Sequence, residues 1–180
     1  MRLTIASIYS VGLAHMSGCM REFLAAHPKA DVRLEYVHPH RVYEEVDQGQ
    51  ADLGLVSYPE ESESLKALPW RNEAMVLVVY PQHPLNKRPS ATLDMIAGEP
   101  FVAFQSGLKI REEIDQALAA NKVRVRSTVE FDNIETIKRA IEIGAGISLL
   151  PEPTISRELE SGTLVQIPLE GVTIERPLGI

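Results

Sequence analysis

The sequence predicts an α/β fold, in which helices and strands alternate along the chain. The clearest sign is residues 140–153, AIEIGAGISLLPEP. Gly144 stands where a helix would end in the left-handed conformation, and Gly146 would allow the backbone to approach a neighbouring element closely. Residues 147–150 are apolar enough for a buried strand, and Pro151 must end it because proline cannot donate to a ladder. This stretch is typical of a helix-to-strand step in a doubly wound unit.

Two further stretches repeat this order. Residues 45–56, EVDQGQADLGLV, contain the end of a helix, Gly49 and an apolar strand. Residues 75–79 are apolar on both faces, which favours a central strand, and a proline-containing loop, VYPQHPL, follows at residues 79–85.

The first half of the chain reads as strand and helix in turn. A strand at residues 3–8 precedes a helix, and Ser10 is expected to cap that helix, whose apolar residues recur at helical spacing until Pro28. The elements that follow are a strand at residues 32–36, a short helix that ends at Gly49, a strand at 52–57 and the strand at 75–79.

The second half repeats the alternation. Asp132 and Glu135 have the spacing of a capping box, so Asp132 is expected to cap a helix on Ile134, Ile137 and Ile141. The other expected elements are a short helix at residues 93–97, a strand at 101–105, a helix on Ile110, Ile114 and Leu118, a strand at 123–131 interrupted by Ser127, a small helix stopped by Gly162, and strands at 164–167 and 173–178. Two rounds of strand and helix predict two α/β lobes with mostly parallel sheets.

Composition limits the partners of the chain. Its 180 residues, 44% of them hydrophobic, are enough for a core of their own. The net charge of −7 argues against contact with a phosphate backbone, because nucleic-acid affinity depends on clustered Lys and Arg. If the parent protein binds DNA, another segment is expected to do so.

Cys19 is the single cysteine, which excludes an intrachain disulfide and a cysteine-rich metal site. Its spacing from Met16 and Met20 predicts a place in the apolar stripe of the first helix, and hence in the core. The N-terminus has a strand pattern, and no window approaches the roughly 20 apolar residues of a membrane span. A bacterial cytoplasm is the expected location, with no membrane partner.

Enzyme motifs are missing from the sequence. The five histidines form no HExxH metal spacing, and neither a GxSxG elbow nor a GxxxxGK[ST] loop occurs. The Gly-x-Gly at residues 144–146 ends a helix instead of opening one, so it is not a dinucleotide fingerprint. We therefore expect no catalytic residue, no metal and no cofactor.

Ligands of open α/β sheets bind beyond the carboxyl ends of the strands, where helix starts present unpaired N–H groups. Those ends fall at residues 9–12, 57–58, 105–107 and 131–133, which are rich in hydroxyl and amide side chains. Such groups suit a small anion or a polar carboxylate compound. Arg111, one turn into its helix, could bind a carboxylate with its guanidinium fork, whereas Asp132 would repel an anion.

The ordered set of stretches at 45–56, 75–85 and 140–153 resembles the effector-binding domain of LysR-type transcriptional regulators, which has the fold of type 2 periplasmic binding proteins. The resemblance covers nearly the whole chain. It implies two Rossmann-like lobes joined by two crossover strands, near residues 79–84 and 165–169. Lobe I would then comprise residues 1–79 and 168–180, and lobe II residues 80–167.

The same resemblance implies a function. A small effector would bind in the cleft between the lobes and control the DNA binding and transcription of the full-length protein. The effector-binding residues that it implies are Ser10, Val11, Ser57, Gln105, Ser106 and Asn133. It also implies a homodimer, a tetramer in the full-length protein, and DNA contact only through an N-terminal winged helix-turn-helix. That domain is not in this chain, which is therefore expected to be a fragment.

Two other functions stay open at the level of sequence. A solute-binding receptor of a transport system has the same fold, but it would need an export signal. A two-lobed enzyme, in the manner of porphobilinogen deaminase or the ATP phosphoribosyltransferases, would need a catalytic constellation.

Overall fold

The computed structural model describes residues 2–180. By contact density the chain divides into two compact units. Unit 1 comprises Met1–Asn72 and Pro177–Ile180, and unit 2 comprises Glu73–Arg176. The chain therefore passes from unit 1 into unit 2 and returns once. The lobe boundaries expected from the family resemblance stay a prediction.

Unit 1 is built on a parallel sheet. Its central strand β1 (Arg2–Ser7) pairs in parallel with β2 (Asp31–Tyr36) on one side and β3 (Leu53–Ser57) on the other. Ser7 lies opposite Tyr36, so the strands end at a common edge. This edge is where the sequence places its first candidate site residues.

The first helix of unit 1 changes its winding. It begins with α1 (Tyr9–Val11), widens to a π-helical segment at Gly12–Met16 and continues as α2 (Ser17–Ala26). The residue before the helix is Ile8, which has extended backbone angles. The expectation that Ser10 caps this helix is therefore wrong, because the helix begins one residue before Ser10.

The exposure of Cys19 contradicts a second expectation. This residue is exposed on α2 instead of lying in the core. Helical spacing places residues on one face of a helix, but it does not show whether another element covers that face. Met16 is buried in the core of unit 1, Met20 packs partly against it, and no residue of α2 is fully buried.

Helix α3 (Pro39–Asp47) covers the sheet of unit 1. A Cβ on Gly54 would lie only 2.7 Å from Cγ1 of Val42, so this glycine lets α3 pack closely on β3. The apolar core beneath the helices comprises Ile5, Ala6, Ile8, Val11, Met16, Val42, Ala51, Leu55, Val56 and Leu178.

Strand β4 (Pro69–Val79) runs from unit 1 into unit 2. Its buried second half is the apolar run predicted at residues 75–79. It pairs antiparallel with β7 (Ser148–Pro151) and with β8 (Val165–Ile167). The expectation of mostly parallel sheets is therefore wrong for this part of the fold, although it is right for the sheet of unit 1.

A second parallel pair in unit 2 joins β5 (Pro100–Phe104) and β6 (Arg126–Phe131). The register shifts by one residue after Ser127, which confirms the interruption expected there, although the strand begins at Arg126 and not at residue 123 as expected. Thr128 is the extra residue of this bulge, and its hydroxyl donates to the carbonyl oxygen of Phe101 at 3.2 Å.

The remaining elements follow the predicted order, except that the 3₁₀ turn at Pro84–Lys87 begins in a stretch expected to be a loop. They are α4 (Lys109–Ala120), α5 (Ile134–Glu142), α6 (Ser156–Ser161), 3₁₀ turns at Pro84–Lys87, Leu93–Ile96 and Glu152–Ile155, and β9 (Glu175–Gly179). Strand β9 returns to unit 1, where it pairs antiparallel with the end of β3.

The helix-to-strand step at residues 140–153 has the predicted backbone. Gly144 follows α5 with a φ of +76°, in the left-handed region. A Cβ on Gly146 would lie 2.6 Å from the carbonyl oxygen of Pro100. Every residue of β7 is buried, so the strand that begins at Ser148 packs inside unit 2 as expected.

Candidate functional site

Three predicted site residues lie at the carboxyl edge of the sheet in unit 1. Ser10, in the first helical turn after β1, is half-buried, and Ser57 is the half-buried last residue of β3. Val11 is fully buried in the core. It can therefore offer a ligand only its backbone, whereas the two serines have side-chain hydroxyls at the edge.

Two tyrosines at this edge were missed by the sequence reasoning. The rings of Tyr9 and Tyr36 lie 5.6 Å apart at an angle of 32°. Tyr36 packs on the helix at Gly12, where a Cβ would lie only 1.9 Å from a ring carbon of Tyr36. Because Tyr36 ends β2 beside Ser7, its place at the edge follows from strand register, which sequence periodicity does not provide.

In unit 2, two predicted residues meet at a third that was not predicted. The hydroxyl of Ser106 donates to Oε2 of Glu130 at 3.3 Å, and Nη1 of Arg111 donates to Oε1 of the same carboxylate at 2.9 Å. Arg111 also donates to the carbonyl oxygen of Phe104 at 2.6 Å and to Asp115 at 2.8 Å. Its guanidinium is thus held by two carboxylates and a carbonyl at the end of β5.

These contacts stabilise the ionised forms of Glu130 and Arg111. The hydrogen bond from Arg111 lowers the pKa of Glu130, although partial desolvation opposes the effect. Burial disfavours the charged form of Arg111, but its hydrogen bonds to Glu130 and Asp115 raise its pKa above the ordinary value. Glu130 and Arg111 are therefore both ionised at neutral pH, and the positive charge of Arg111 is already paired with the two carboxylates of Glu130 and Asp115.

Asn133 has a defined structural role. Its Oδ1 accepts hydrogen bonds from the backbone N–H of Glu135 at 2.8 Å and of Thr136 at 3.4 Å, so it caps α5. The predicted cap at Asp132 is wrong, because Asn133 is the extended residue directly before the helix. With Oδ1 engaged by the helix, the side chain can offer a ligand its amide N–H groups.

Gln105 is exposed at the end of β5, and its backbone N–H donates to the carbonyl oxygen of Phe131 at 2.8 Å. This bond ties the ends of β5 and β6 together. The structure therefore brings Ser106 and Arg111 to one carboxylate, and it places Gln105 and Asn133 at two neighbouring strand ends. The Arg111–Glu130 contact joins residues far apart in sequence, so no local motif signals it.

Among residues 2–180, no group of three or more His, Cys, Asp or Glu side chains is placed to hold a metal ion. In the same described part of the chain, no helix has the length and apolar character needed to cross a membrane.

Comparison with known proteins identifies the family. The family model described as the LysR substrate binding domain matches residues 1–180. The chain is 30% identical over 184 residues to a probable RuBisCO transcriptional regulator of Cyanophora paradoxa, covering 99% of this chain and 57% of the relative. The chain belongs to the LysR substrate-binding domain family. It spans about half the length of the curated relatives it matches.

Solved structures show the same fold. The regulatory domain of CcmR from Synechocystis, in complex with 2-PG, has a TM-score of 0.86 at 24% identity, with 99% of this chain and 86% of that chain covered. The effector-binding domain of QuiR, in complex with shikimate, has a TM-score of 0.87 at 19% identity, with 99% and 85% covered. These likenesses establish the two-lobed α/β fold of LysR effector-binding domains.

Proposed function

We propose that this domain senses a small anionic effector, which binds at the carboxyl edges of the parallel strands and controls DNA binding by the longer regulator. The observation that supports this most is the set of hydroxyl and amide groups at those edges. The residues proposed to contact the effector are Ser10, Val11, Ser57, Gln105, Ser106, Asn133 and Arg111. A location in the cleft between two lobes stays a prediction from the family resemblance.

The chemistry of these residues favours an acid. Uncharged donors hold an anion through hydrogen bonds, and the N–H groups that open a helix stabilise its charge. Arg111 adds a permanent cation, but the two carboxylates of Glu130 and Asp115 more than balance its charge, so the proposal rests on the uncharged donors and the helix N–H groups. The CcmR and QuiR domains were solved with the small ligands 2-PG and shikimate, which supports a small-molecule effector here as well.

Control of transcription requires that the effector bind one arrangement of the regulator better than another, because a ligand shifts an equilibrium only by its differential affinity. We propose that the DNA-binding segment is a winged helix-turn-helix outside this chain, since the chain carries a net charge of −7. We further propose a bacterial cytoplasmic protein that needs no cofactor and has no enzymatic activity.

The effector site is tested by pairing a site variant with a core variant. A thermal-shift screen of small acids first selects a ligand, since a ligand at 100 times its Kd adds about 2.7 kcal/mol to stability. Ser10→Ala should then weaken that ligand roughly tenfold or more, because a hydrogen bond to a charged group contributes about 1.5–3 kcal/mol. Ser106→Ala is expected to behave similarly.

Ser148→Ala is the matched control. Its hydroxyl is fully buried and donates to the carbonyl oxygen of Val102 at 2.8 Å. This change should lower the free energy of unfolding by about 1 kcal/mol and leave affinity unchanged. Unchanged affinity in both Ser10→Ala and Ser106→Ala, with the folds intact, would refute the assignment of the effector site.

We also propose that the domain forms a homodimer, and the full-length protein a tetramer. Helix α2 carries the exposed side chains of Cys19 and Leu24 and has no fully buried residue, which supports a role of the first helix in pairing. Sedimentation over a range of concentrations tests the dimer, and Leu24→Glu should shift the mass toward the monomer. A monomer mass at all concentrations would contradict the proposal.

A further inference from the structure

The carboxyl edge of unit 1 exposes apolar surface next to its hydroxyl groups. The side chains of Tyr9 and Leu13, one helical turn apart, are each 48% exposed. Tyr36 extends this surface, since its ring lies beside that of Tyr9. We call the two tyrosine rings, together with the side chain of Leu13, the aromatic wall. It lies directly beside Ser10, the hydroxyl of the first helical turn.

The position of the wall is fixed by the backbone. Gly12 leaves the space that the ring of Tyr36 occupies, since any Cβ there would overlap the ring. Tyr36 is also the last residue of β2, with Ser7 as its partner in the parallel register. The ring of Tyr36 is therefore held at the strand end, and the ring of Tyr9 lies 5.6 Å from it.

An aromatic surface beside hydroxyl groups discriminates between kinds of acid. Inorganic anions and short open-chain acids have no ring to pack on it, so they gain little from the tyrosines. A ring packs against an aromatic face with both buried area and favourable geometry, and a tyrosine also offers its hydroxyl at the rim. The wall is thus a feature that only a cyclic ligand uses fully.

We propose that Tyr9 and Tyr36 determine specificity, and that the effector is a cyclic organic acid whose ring packs on the aromatic wall while its acid group lies near Ser10. This inference rests on the proposed effector site and names the class of ligand that the site accepts. It assigns a role to two residues that the sequence alone did not single out.

The test is calorimetric titration of the domain with two sets of probes. Benzoate and shikimate represent cyclic acids, whereas malate, 2-PG and sulfate represent open-chain and inorganic anions. At least one cyclic acid should bind more tightly than all three of the other probes. Tyr9→Ala should weaken that cyclic acid about tenfold, which corresponds to about 1.4 kcal/mol, and should change the affinity for sulfate less than twofold.

Two further variants test whether a loss of affinity in Tyr9→Ala comes from the ring, from the hydroxyl, or from the removal of any exposed apolar side chain. Tyr9→Phe keeps the ring and should retain most of the affinity, which a role of the hydroxyl alone would not allow. Ile143→Ala, a change at an 84% exposed apolar side chain at the C-terminal end of α5, should leave affinity unchanged. Folding of each variant is checked by its thermal midpoint.

The outcomes distinguish this inference from the proposed function. If open-chain or inorganic probes bind more tightly, and Ser10→Ala weakens them while Tyr9→Ala does not, the aromatic wall has no role in specificity and the effector site stands. If no probe binds, both proposals are overturned. If Tyr9→Ala and Ile143→Ala reduce the affinity equally, the specificity role is also overturned.

Discussion

Asn133 shows how a single residue can have a structural role and a candidate binding role together. Its side-chain oxygen caps α5, and its amide N–H groups are left for a ligand. Sequence spacing pointed to the neighbouring Asp132 as the cap. The backbone decided between the two residues, because only the residue with extended angles directly before the helix can accept from the first turn.

Asn133→Ala should lower the free energy of unfolding by about 1 kcal/mol, since it removes the cap of α5. Asp132→Ala is the control, and it should change stability by less than about 0.5 kcal/mol, as surface changes usually do. Urea unfolding of both variants is the measurement. A larger loss for Asp132→Ala than for Asn133→Ala would contradict the assignment.

The lowered pKa of Glu130 predicts that the stability of the domain depends on pH. The pKa of this residue in the folded protein is lowered by the hydrogen bond from Arg111, so its contribution to stability is present above the ordinary glutamate pKa of about 4.3 and disappears as the pH falls through the folded value. Glu130→Gln should therefore be less stable than the parent at pH 7. This difference should shrink as the pH falls below about 4.

Thermal midpoints of the two proteins at pH 7 and at pH 3.5 test this expectation. Glu170→Gln, a change at another exposed carboxylate, is the control for the loss of one negative charge. A difference between Glu130→Gln and the parent that stays constant over this range would mean that Arg111 does not stabilise the ionised carboxylate.

At the scale of elements, one lysine joins α5 to the segment around α6. Lys138 is only 4% exposed, and its Nζ lies 2.7 Å from Glu135, 3.0 Å from Glu158 and 2.9 Å from the carbonyl oxygen of Thr154. Glu158 is itself buried. The sequence places Lys138 on the helix, but only packing shows that its charge is enclosed.

Lys138→Met should cost about 3–5 kcal/mol, because it leaves the buried carboxylate of Glu158 without its cation. The neighbouring Arg139→Met is the control on the same helix. Its side chain is 69% exposed and pairs with Glu142, so the change should cost at most about 1 kcal/mol. Chemical unfolding measures the stability of both variants. Equal losses of stability would contradict the role of Lys138 as the buried cation that pairs with Glu158.

At the scale of the whole molecule, a buried ion pair joins the two strands that connect the units. Nε of Arg176 on β9 donates to Oε2 of Glu73 on β4 at 2.8 Å, and Nη2 contacts the same oxygen. The two residues are 103 positions apart, and they are 1% and 3% exposed. They stand at the edges of unit 2, where the chain enters and leaves it.

Arg176→Met should destabilise the domain by about 3–5 kcal/mol, since Glu73 would stay buried without its cation. The double variant Arg176→Met with Glu73→Leu should recover part of the loss, because no buried charge is left unpaired. Calorimetric unfolding of the parent, the single and the double variant measures this. A double variant less stable than the single one would contradict the explanation that the unpaired charge of Glu73 causes the loss of stability.

The parts of the fold that the sequence predicted are those with local causes. Helix ends were marked by Gly144 and Gly162, and a close approach of the backbone by Gly146. Apolar periodicity located the elements around these glycines. The positions that were wrong depend on the exact residue at which a helix begins, as for Ser10 and Asp132, or on packing between elements. Cys19 is exposed on a helix that has no fully buried residue, and residues 69–74 belong to β4 although they lack an apolar run.

By itself, the sequence determined the α/β alternation, the family, the apolar strands and the strand ends that carry hydroxyl and amide groups, because each is encoded in residues near one another along the chain. Only the tertiary structure decided which distant residues meet there. It brought Glu130 to Arg111 and Ser106, placed Tyr36 beside Tyr9, and buried Glu73 against Arg176. These contacts depend on strand register and helix packing, which join segments that no local pattern connects.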